Sequence, residues 1–533
     1  MQGLMQDIPL TLDRLIDHAA RWHGDREIVS RDGQGRISRT TYAQVHARAK
    51  RVSNALKAAG IAPGDRVGTL GWNGYRHFEA WYGTIGIGAV LHTLNPRLFP
   101  EQIAYVANHA EDRLLLADPA CRPLVEQLLP QCPSIERVIY LDEEFDAWIA
   151  PHSTECRWGG FDERTAAGLC YTSGTTGNPK GVLYGHRSNY LHALMTLQTD
   201  ALALSARDTV LLVVPMYHAN AWGVIYSAPA VGAKLVMPGQ RMDGASIHEL
   251  IETEGVTYSA AVPTVWQMLL THLKETGGKL TTLQRVTIGG SAVPESLIRT
   301  FHDHYGVEVI QGWGMTETSP LATISVADAK VGELSFEDQV PYKLKQGRLL
   351  CGLDLKLADD AGRTLPHDGK TFGRLMIKGP TIASGYFKGE GGQVLDEEGF
   401  FDTGDVSTID PDGYMQITDR AKDVIKSGGE WISSIDVENV AVGHPQAELC
   451  AVIGVSHPKW DERPILLVKL KPGATCTKDD VLRFLDGKIA KWWMPDDVLF
   501  VDDIPLGATG KIDKKLIRQR LTDYKLPFGE PVR

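Results

Sequence analysis

A short polar loop in the first half of the chain has residue types that suit a phosphorylated ligand. Residues 171–181 read Tyr-Thr-Ser-Gly-Thr-Thr-Gly-Asn-Pro-Lys-Gly. Glycines let the backbone approach a ligand closely, while successive amide and hydroxyl donors suit a polyphosphate and the lysine adds a mobile charge. The loop is not a Walker A loop, because Pro179 stands where that motif has its second glycine. We predict that it binds phosphate through Thr172, Ser173, Gly174, Thr175, Thr176, Gly177 and Lys180.

The residues on either side of this loop predict how it is held. Residues 167–170 and 182–184 read as strands, so the loop is expected to join a hairpin. Pro179 disfavours a helix directly behind the glycines, and the phosphate site is therefore not expected at a helix N-terminus. An ordinary Gly/Ser/Thr turn is the alternative interpretation.

A second motif could hold a purine, a phosphate oxygen and a metal ion. Residues 311–317 read Gln-Gly-Trp-Gly-Met-Thr-Glu. The ring of Trp313 lies between glycines and can stack on a purine, and the hydroxyl of Thr316 can bond to a phosphate oxygen. The carboxylate of Glu317 could bind Mg²⁺, which usually takes one or two carboxylates and shares the phosphates of a substrate. A buried tryptophan in a turn with a capping glutamate is the alternative.

Two further motifs place single charged groups on tight turns. Asp405 ends the run Phe-Asp-Thr-Gly-Asp, and Lys511 stands in Pro-Leu-Gly-Ala-Thr-Gly-Lys-Ile. A lysine on a Gly-rich turn can reach into a cleft while the backbone bends away. Taken singly, such an aspartate is more often a turn former, and a lysine is more often a solvated surface charge. We expect Lys514 and Lys515 to be surface charges of that kind.

In this order, the motifs resemble those of the adenylate-forming enzymes, which include acyl-CoA synthetases, firefly-type luciferases and the adenylation domains of peptide synthetases. The resemblance covers essentially the whole chain and implies ATP, Mg²⁺ and coenzyme A as ligands. It implies that Asp405 grips the ribose hydroxyls, that Arg420 contacts the nucleotide, and that Lys511 contacts the carboxylate and the α-phosphate. Glu317 and Thr172 are the expected metal ligands. The segments expected beside the adenine and the acyl group contain Gly290, Ser291, Ala292, Trp313, Gly314 and Met315. The family commonly has tyrosine where this chain has Trp313.

The same resemblance assigns roles to residues 419–432. It implies that Lys422 is a hinge, and that Gly428, Gly429 and Trp431 lie near coenzyme A in a second conformation. Hinge residues absorb large φ/ψ changes and need not be small. Glycines without side chains would let the pantetheine arm pass, although a plain β-turn is the alternative. Lys511 must be in the cleft for adenylation and out of it for thioester formation, and a rotating C-terminal domain satisfies both demands.

The region that borders the acyl pocket in this family predicts the kind of acid. His218, Trp222 and Trp266 are the expected pocket residues, with core packing as the alternative for each. No aspartate stands between Tyr217 and Ser227 to pair with an ammonium, and an unpaired buried ammonium would be costly. We therefore expect an acid with a neutral tail and, because large aromatics shorten a pocket, a short to medium chain. The chain resembles medium-chain fatty acyl-CoA ligases and methylmercaptopropionate-CoA ligases.

The leading hypothesis is thus an AMP-forming acid:CoA ligase. A luciferase-like monooxygenase acting on the adenylate is a second hypothesis, but nothing in the sequence indicates a light-emitting substrate. A module that loads a carrier protein is a third. It is disfavoured because the phosphate loop, Glu317 and Lys511 are intact and no carrier domain is attached.

The composition limits the remaining classes of function. The chain has 533 residues, which predicts two or more domains. A net charge of −11 argues against nucleic acid or an anionic membrane as the main partner. Seven cysteines without a Cys-x-x-Cys pair fit a reducing cytoplasm and predict no zinc site. Since the first residues do not read as a secretory signal, we expect a cytoplasmic protein, and the resemblance suggests a homodimer.

The elements that must position these motifs alternate between strands and helices, which predicts layered α/β structure. The helix expected at residues 42–59 and the strand expected at residues 209–214 are examples. We predict a large multi-layer N-terminal domain, residues 1–420, with β-sheets flanked by helices and a small β-barrel-like subdomain beyond Gly347. A small, mobile α+β C-terminal domain, residues 421–533, is expected to carry Lys511.

Overall fold

The computed structural model describes residues 1, 3–172, 178–420, 423–427, 430–507, 511–522 and 524–526, without the side chains of Glu430 and Trp431. The helices are α1 (Asp13–Trp22), α2 (Tyr42–Ala58), α3 (Tyr75–Ile85), α4 (Pro100–Ala110), α5 (Arg122–Leu128), α6 (Glu143–Ile149), α7 (His186–Thr196), α8 (Ala219–Trp222), α9 (Val224–Val231), α10 (Gly244–Glu254), α11 (Pro263–Thr276), α12 (Glu295–Thr300), α13 (Ala329–Gly332), α14 (Phe336–Lys343), α15 (Ser434–Val442), α16 (Lys478–Leu485) and α17 (Lys514–Arg520).

The first strands are β1 (Glu27–Arg31), β2 (Ile37–Thr41), β3 (Arg66–Leu70), β4 (Val90–Leu94), β5 (Asp112–Ala117), β6 (Arg137–Tyr140), β7 (Ala166–Tyr171), β8 (Gly181–Gly185), β9 (Thr209–Leu211), β10 (Lys234–Met237), β11 (Tyr258–Ala261), β12 (Arg285–Ile288), β13 (Glu308–Gly314), β14 (Leu321–Ile324) and β15 (Arg348–Leu349). The later strands are β16 (Asp354–Ala358), β17 (Thr364–Leu365), β18 (Gly373–Lys378), β19 (Phe401–Ile409), β20 (Met415–Arg420), β21 (Ile425–Ser427), β22 (Glu430–Ile432), β23 (Ala447–His457), β24 (Asp461–Leu470) and β25 (Asp497–Phe500).

Two large sheets form the frame of the first part of the chain. One has the strand order β15-β14-β13-β12-β11-β9-β10-β1-β2, and the other has the order β6-β5-β3-β4-β7-β8. Most neighbours are parallel, and these strands are buried along most of their length, as in sheets covered by helices. The predicted alternation of strands and helices is confirmed. The predicted helix at residues 42–59 is α2, whereas the predicted strand at residues 209–214 ends at Leu211.

The hairpin predicted around the phosphate loop is present. Strands β7 and β8 pair in antiparallel register, with Tyr171 opposite Gly181. The edge of the six-stranded sheet therefore presents the loop between them. The backbone N–H of Thr172 donates to the carbonyl of Lys180 at 2.9 Å, which closes the loop at its base.

The β-rich part beyond Gly347 is an open sheet. Its strand order is β17-β16-β18-β19-β20, and each neighbouring pair is antiparallel. In the part of the chain that the structure describes, β17 and β20 stand at opposite edges and do not pair with each other. The β-rich subdomain expected beyond Gly347 is thus present, as an antiparallel sheet that does not close into a complete barrel within the described residues.

The C-terminal part has its own sheet and its own apolar interior. Strands β21 to β25 form one sheet, with β25 parallel to β24. Two apolar clusters there, around Val452 and Ile453, draw all their members from residues after Asp423. A part of the chain that fills its own core can move as a unit. Within the described residues, no helix is both long enough and apolar enough to cross a membrane.

Candidate active site

Strand pairing brings an aspartate and an arginine together on the β-rich sheet. Asp405 on β19 lies directly opposite Arg420 on β20. The Nε atom of Arg420 is 2.8 Å from Asp405 Oδ1, and the indole Nε1 of Trp313 donates to Asp405 Oδ2 at 2.9 Å. Asp405 is only 2% exposed. The structure thus joins three residues that the sequence placed in separate motifs.

Glu317 lies in a buried turn just after β13. The side chain is 6% exposed, and the hydroxyl of Tyr386 donates to its Oε1 at 2.7 Å. Burial raises the pKa of Glu317, while Tyr386 and the charge of Arg420 act in the opposite direction. The buried carboxylate of Glu317 has one hydrogen-bond donor, so its oxygens can still bind a cation. Thr316, which precedes Glu317, is half-buried, and its carbonyl accepts from the hydroxyl of Tyr184 at 2.7 Å.

The backbone is crowded beside Trp313, which explains why the next residue, Gly314, has no side chain. A Cβ built on Gly314 would lie 2.0 Å from the carbonyl oxygen of Pro320. Any other residue would push β13 away from β14 at this point. Met315 follows, and its backbone N–H donates to the hydroxyl of Thr318 at 2.9 Å. The turn that presents Thr316 and Glu317 is therefore held from both ends.

The two described ends of the phosphate loop face the same region. The N–H of Lys180 donates to the hydroxyl of Thr172 at 3.2 Å. The ammonium of Lys180 lies over the ring of Tyr386, 4.8 Å from its centroid. Because Tyr386 also donates to Glu317, Lys180 and Glu317 contact the same residue, one at its ring and the other at its hydroxyl. Ser173, Gly174, Thr175, Thr176 and Gly177 lie outside the described residues, and their phosphate-binding role stays a prediction.

The side chain of Lys511 reaches this site from the C-terminal part. The carbonyl of Lys511 accepts from the N–H of Gly507 at 2.7 Å, which brings these two residues together. A Cβ built on Gly290 would lie 3.8 Å from Lys511 Cε. Lys511 is exposed as a whole residue, yet its ammonium end lies among protein groups. Burial there lowers the pKa of Lys511 to about 8; Arg420 lowers it further, whereas Asp405 and Glu317 raise it.

Residues of the expected acyl side cluster around Gly289 and Gly290. The indole of Trp222 lies 3.3 Å from the position that a Cβ on Gly289 would take, and Val262 Cγ1 lies 3.1 Å from that of Gly290. Gly290 has a φ of +84°, a conformation that favours glycine. Ser291 is exposed and Ala292 is half-buried, so both face the open side of this cluster.

His218 is half-buried beside Tyr217, and its ring is uncharged at neutral pH. Burial lowers the pKa of His218 to about 4, and the positive charges of Lys511 and Arg97 lower it further. A neutral imidazole can face an apolar acyl chain or hydrogen-bond to a carboxylate. The charge of Lys511 acts on His218, so the two side chains lie near each other, while the role of His218 beside the acyl chain stays a prediction.

A strained turn holds His218 and Trp222 in place. The residues of α8 have φ values of +40° for Ala219, +60° for Asn220, +51° for Ala221 and +55° for Trp222. This is one turn of left-handed helix, which costs about 1–2 kcal/mol per residue for side chains with a Cβ. Such strain tends to occur at functional sites. No motif in the sequence predicts this turn.

Trp266 does not join the cleft. It lies on α11, is fully buried, and packs edge to face on Phe301 at a centroid distance of 5.8 Å. Trp266 belongs to an apolar cluster that includes Leu269 and Val286. Trp222 lies at the edge of a different apolar cluster. The interpretation of Trp266 as a pocket residue is corrected to that of a core residue, because its apolar neighbours enclose it completely.

The prediction that Lys514 is a surface charge is wrong. Its ammonium is 2.9 Å from Glu438 Oε1 and donates to the hydroxyl of Ser434. The side chain is only 10% exposed. The expected surface charge is therefore a buried ion pair, whereas Lys515 is exposed as predicted.

The structure describes only part of the predicted segment at residues 419–432. Lys422, Gly428 and Gly429 lie outside the described residues. The backbone of Trp431 belongs to β22, which pairs with β21. Sequence reasoning missed Tyr386, which is distant in the chain from both of its partners. The run Gly-Tyr-Phe at residues 385–387, an aromatic directly after a glycine as in the Trp313 motif, was the only signal.

Comparisons with known proteins show the family of the chain. The family described as AMP-binding enzyme matches residues 16–387, and its C-terminal domain matches residues 436–511. A 3-methylmercaptopropionyl-CoA ligase of Ruegeria lacuscaerulensis is 47% identical over 98% of this chain and 99% of that protein. A medium-chain-fatty-acid–CoA ligase of Ectopseudomonas oleovorans is 45% identical over 100% of both.

A solved structure matches the fold as well. The crystal structure of the anthranilate CoA ligase AuaEII with anthranoyl-AMP has a TM-score of 0.86 and 25% identity, over 97% of this chain and 99% of that one. The predicted resemblance and the predicted α/β fold, with a large first part and a smaller C-terminal part, are both confirmed. The chain therefore belongs to the AMP-binding enzyme family.

Proposed function

We propose that this AMP-forming acyl-CoA ligase activates short- to medium-chain carboxylic acids, 3-methylmercaptopropionate among them. The names of the two similar ligases support this range. The absence of an aspartate between Tyr217 and Ser227 supports a neutral tail. The indole of Trp222 against Gly289 supports a short pocket.

The observation that carries the proposal is that the end of the Lys511 side chain lies beside Gly290, where the charges of Glu317, Asp405 and Arg420 act on it. In the first step, a carboxylate oxygen of the acid attacks the α-phosphorus of ATP. The new P–O bond gives acyl-AMP, and the bond to the β-phosphate breaks, so that pyrophosphate leaves. Lys511 offsets the negative charge where the carboxylate and the phosphate approach each other, and it holds them in line.

The other groups orient ATP around this point. Lys180 and the phosphate loop bind the phosphates, while Asp405 binds the ribose hydroxyls and Arg420 contacts the nucleotide. Trp313 and Gly290 border the adenine and the acyl group. In the free protein Arg420 pairs with Asp405 at 2.8 Å. The nucleotide would therefore enter a site whose charges are already paired and held in register by β19 and β20.

Glu317 and Thr172 are the proposed ligands of Mg²⁺, and the surroundings of Glu317 fit such an ion. Glu317 is buried, has one hydrogen-bond donor and carries a raised pKa, so a nearby cation would favour its ionised form. Nowhere in the described ranges do three His, Cys, Asp or Glu residues gather as a metal site. A single carboxylate suits an ion that takes its other ligands from phosphates and water. When bound, Mg²⁺ would neutralise phosphate charge.

Thioester formation needs a second arrangement of the protein. The thiol of coenzyme A attacks the acyl carbon, the C–S bond forms, and AMP leaves. Lys511 would leave the cleft by rotation of residues 421–533 about Lys422 against residues 1–420, and Gly428, Gly429 and Trp431 would face coenzyme A. The separate apolar clusters of the C-terminal part support a movement of this kind.

We also propose that the protein is cytoplasmic and forms a homodimer. All seven cysteines are free, as in a reducing compartment. Light scattering combined with gel filtration would measure the mass, and a monomer across micromolar concentrations would contradict the dimer. Fractionation of cells would test the location.

A substrate panel tests the function. Purified protein is mixed with ATP, Mg²⁺, coenzyme A and acids that differ in chain length, with 3-methylmercaptopropionate included. We expect AMP release that depends on both the acid and coenzyme A. Adenylate that accumulates without thioester would instead support a luciferase-like monooxygenase or a carrier-loading enzyme. A preference for long chains would contradict the proposed acid.

A further inference from the structure

Tyr386 lies between the two opposite charges of the adenylation site. Its hydroxyl donates to Glu317 Oε1 at 2.7 Å, and the ammonium of Lys180 lies 4.8 Å from the centre of its ring. A Cβ built on Gly391 would be 3.0 Å from Lys180 Nζ, so the backbone of the same segment also lies close to the ammonium. Residues 386–391, here called the bridging segment, thus contact both groups.

The bridging segment is anchored at several points. The ring of Phe387 packs edge to face on His109 of α4, with a centroid distance of 5.7 Å. The hydroxyl of Tyr105 donates to Glu390 Oε1 at 3.3 Å, and His109 Nε2 is 3.5 Å from the same oxygen. Helix α4 therefore holds both ends of the segment.

The same anchor reaches the phosphate loop and Glu317. The other ring nitrogen of His109, Nδ1, is 2.6 Å from the hydroxyl of Tyr171, the last residue of β7. Just before the segment, the N–H of Ala383 donates to the carbonyl of Glu317 at 2.8 Å. A tyrosine fixed in this way can set the position of what it touches.

The charges on either side of Tyr386 would otherwise attract each other. Throughout the residues that the structure describes, no carboxylate lies within ion-pair distance of Lys180. A direct pair between Lys180 and Glu317 would occupy the ammonium that a polyphosphate needs and the carboxylate that a metal ion needs. Burial and the neighbouring carboxylate raise the pKa of Tyr386, so its phenol stays protonated and donates. Its ring face attracts the ammonium.

We propose that Tyr386 is a positioning residue for adenylation. Its ring holds the ammonium of Lys180 toward the phosphates, its hydroxyl holds the carboxylate of Glu317 toward the metal ion, and its bulk keeps the two charges from pairing. The inference rests on the proposed function. It concerns the first half-reaction only, because Lys180 and Glu317 would serve the phosphates of ATP, which leave as pyrophosphate before coenzyme A attacks.

Two substitutions separate the two contacts. Tyr386→Phe keeps the ring and removes the hydrogen bond to a charged group, so we expect the Mg²⁺ concentration for half-maximal adenylation to rise about tenfold. The KM for ATP at saturating Mg²⁺ should change less than about twofold, because the ring remains. Tyr386→Leu removes both contacts, so the KM for ATP should also rise about fivefold. ATP–pyrophosphate exchange measures both quantities, and calorimetric titration with Mg²⁺ and ATP in the absence of acid measures the same binding without turnover.

A matched pair of controls is available on α14. The ammonium of Lys345 lies 5.1 Å from the ring centre of Tyr342, an arrangement like that of Lys180 on Tyr386 but not part of the cleft. Tyr342→Phe and Tyr342→Leu should leave both half-reactions unchanged. Circular dichroism and thermal melting show whether each variant is folded, and the conservative Tyr386→Phe keeps the test valid if the leucine variant unfolds.

Three outcomes decide the inference. Conversion of synthetic acyl-AMP and coenzyme A to thioester at the wild-type rate, together with the losses above, supports it. An unchanged Mg²⁺ requirement in Tyr386→Phe, or equal losses in both half-reactions, overturns it and makes Tyr386 a structural residue. Failure of the wild-type protein itself to form an adenylate would overturn the proposed function instead.

Discussion

Lys511 shows how one residue depends on groups far from it in the sequence. Its ammonium shares the cleft with Arg420, Asp405 and Glu317, and burial is the largest influence on its pKa. One positive neighbour and two negative ones compete, and the positive one adds to the effect of burial. The anions of ATP and the acid would add negative charge at this place and favour the protonated ammonium.

Removal of this ammonium should separate the two half-reactions. We expect Lys511→Ala to lower adenylation by at least about a hundredfold, because a charge-stabilising donor is lost at the reacting atoms. Conversion of synthetic acyl-AMP and coenzyme A to thioester should stay near the wild-type rate. The exposed Lys515→Ala is the control and should change neither step. Equal loss of both steps in Lys511→Ala would contradict a role confined to adenylation.

The pKa of Lys511 predicts an alkaline limit to adenylation. In the free protein the ammonium loses its proton as the pH rises through about 8, and a neutral lysine supplies no charge. The value of kcat/KM for ATP should therefore fall above that pH, since this quantity follows the free enzyme. Lys511→Arg stays charged and should lose the alkaline fall, even if its rate is lower. The same fall in the arginine variant would assign the titration to another group.

At the scale of elements, two left-handed conformations shape the acyl side of the cleft. Helix α8 is a left-handed turn that carries Trp222, and Gly290 follows β12 with a φ of +84°. The first is strained because its residues have Cβ atoms, and the second is not because glycine lacks one. Together they bring Trp222 and the backbone after β12 within contact distance.

Substitution of two glycines distinguishes the effect of backbone strain from the effect of crowding in the site. Gly290→Ala and Gly277→Ala both place a Cβ at positive φ, +84° and +69°, and each should lower the free energy of unfolding by about 1–3 kcal/mol. Only the Cβ on Gly290 meets Val262, at 3.1 Å, and Lys511, at 3.8 Å, whereas Gly277 has open space. Adenylation should fall at least about tenfold in Gly290→Ala alone. Similar rates in both variants would show that crowding is not important.

At the scale of the whole molecule, a buried polar contact joins the last strand of the β-rich sheet to the C-terminal part. Asp419 on β20 accepts from the N–H of Ser434 at 2.9 Å and from its hydroxyl, and the ammonium of Lys514 donates to the same hydroxyl. The hydroxyl of Ser433 donates to the carbonyl of Thr418 at 2.5 Å. Lys511 reaches the cleft in the arrangement where these contacts exist.

Loss of the shared hydroxyl should weaken that arrangement. Ser434→Ala leaves Asp419 and Lys514 without their common partner, so we expect adenylation to slow about fivefold, equivalent to one hydrogen bond. Thioester formation from acyl-AMP should keep its rate or become faster, because it requires the other arrangement. The control is Ser456→Ala, on the exposed part of β23. If thioester formation slowed as much as adenylation, the contact would serve general stability instead.

The amino-acid sequence by itself determined the chemistry that is local in the chain. The hairpin of β7 and β8 and the turn at Glu317 each depend on neighbouring residues and on hydrogen bonds over a few positions. Strand and helix alternation likewise follows from short apolar patterns. The hairpin and the alternation of strands and helices were predicted correctly because their causes lie within about ten residues, whereas the ligand-binding roles of the three motifs stay predictions.

Only the tertiary structure decided which of several similar residues face the cleft. The sequence does not distinguish Trp222 from Trp266. Trp222 nevertheless lies against Gly289, whereas Trp266 is enclosed by Phe301 and its neighbours. Lys514 became a buried partner of Glu438, and Tyr386 came to bridge Lys180 and Glu317. Burial and contact between distant segments arise from the packing of sheets and helices as a whole, and no short stretch of sequence contains that information.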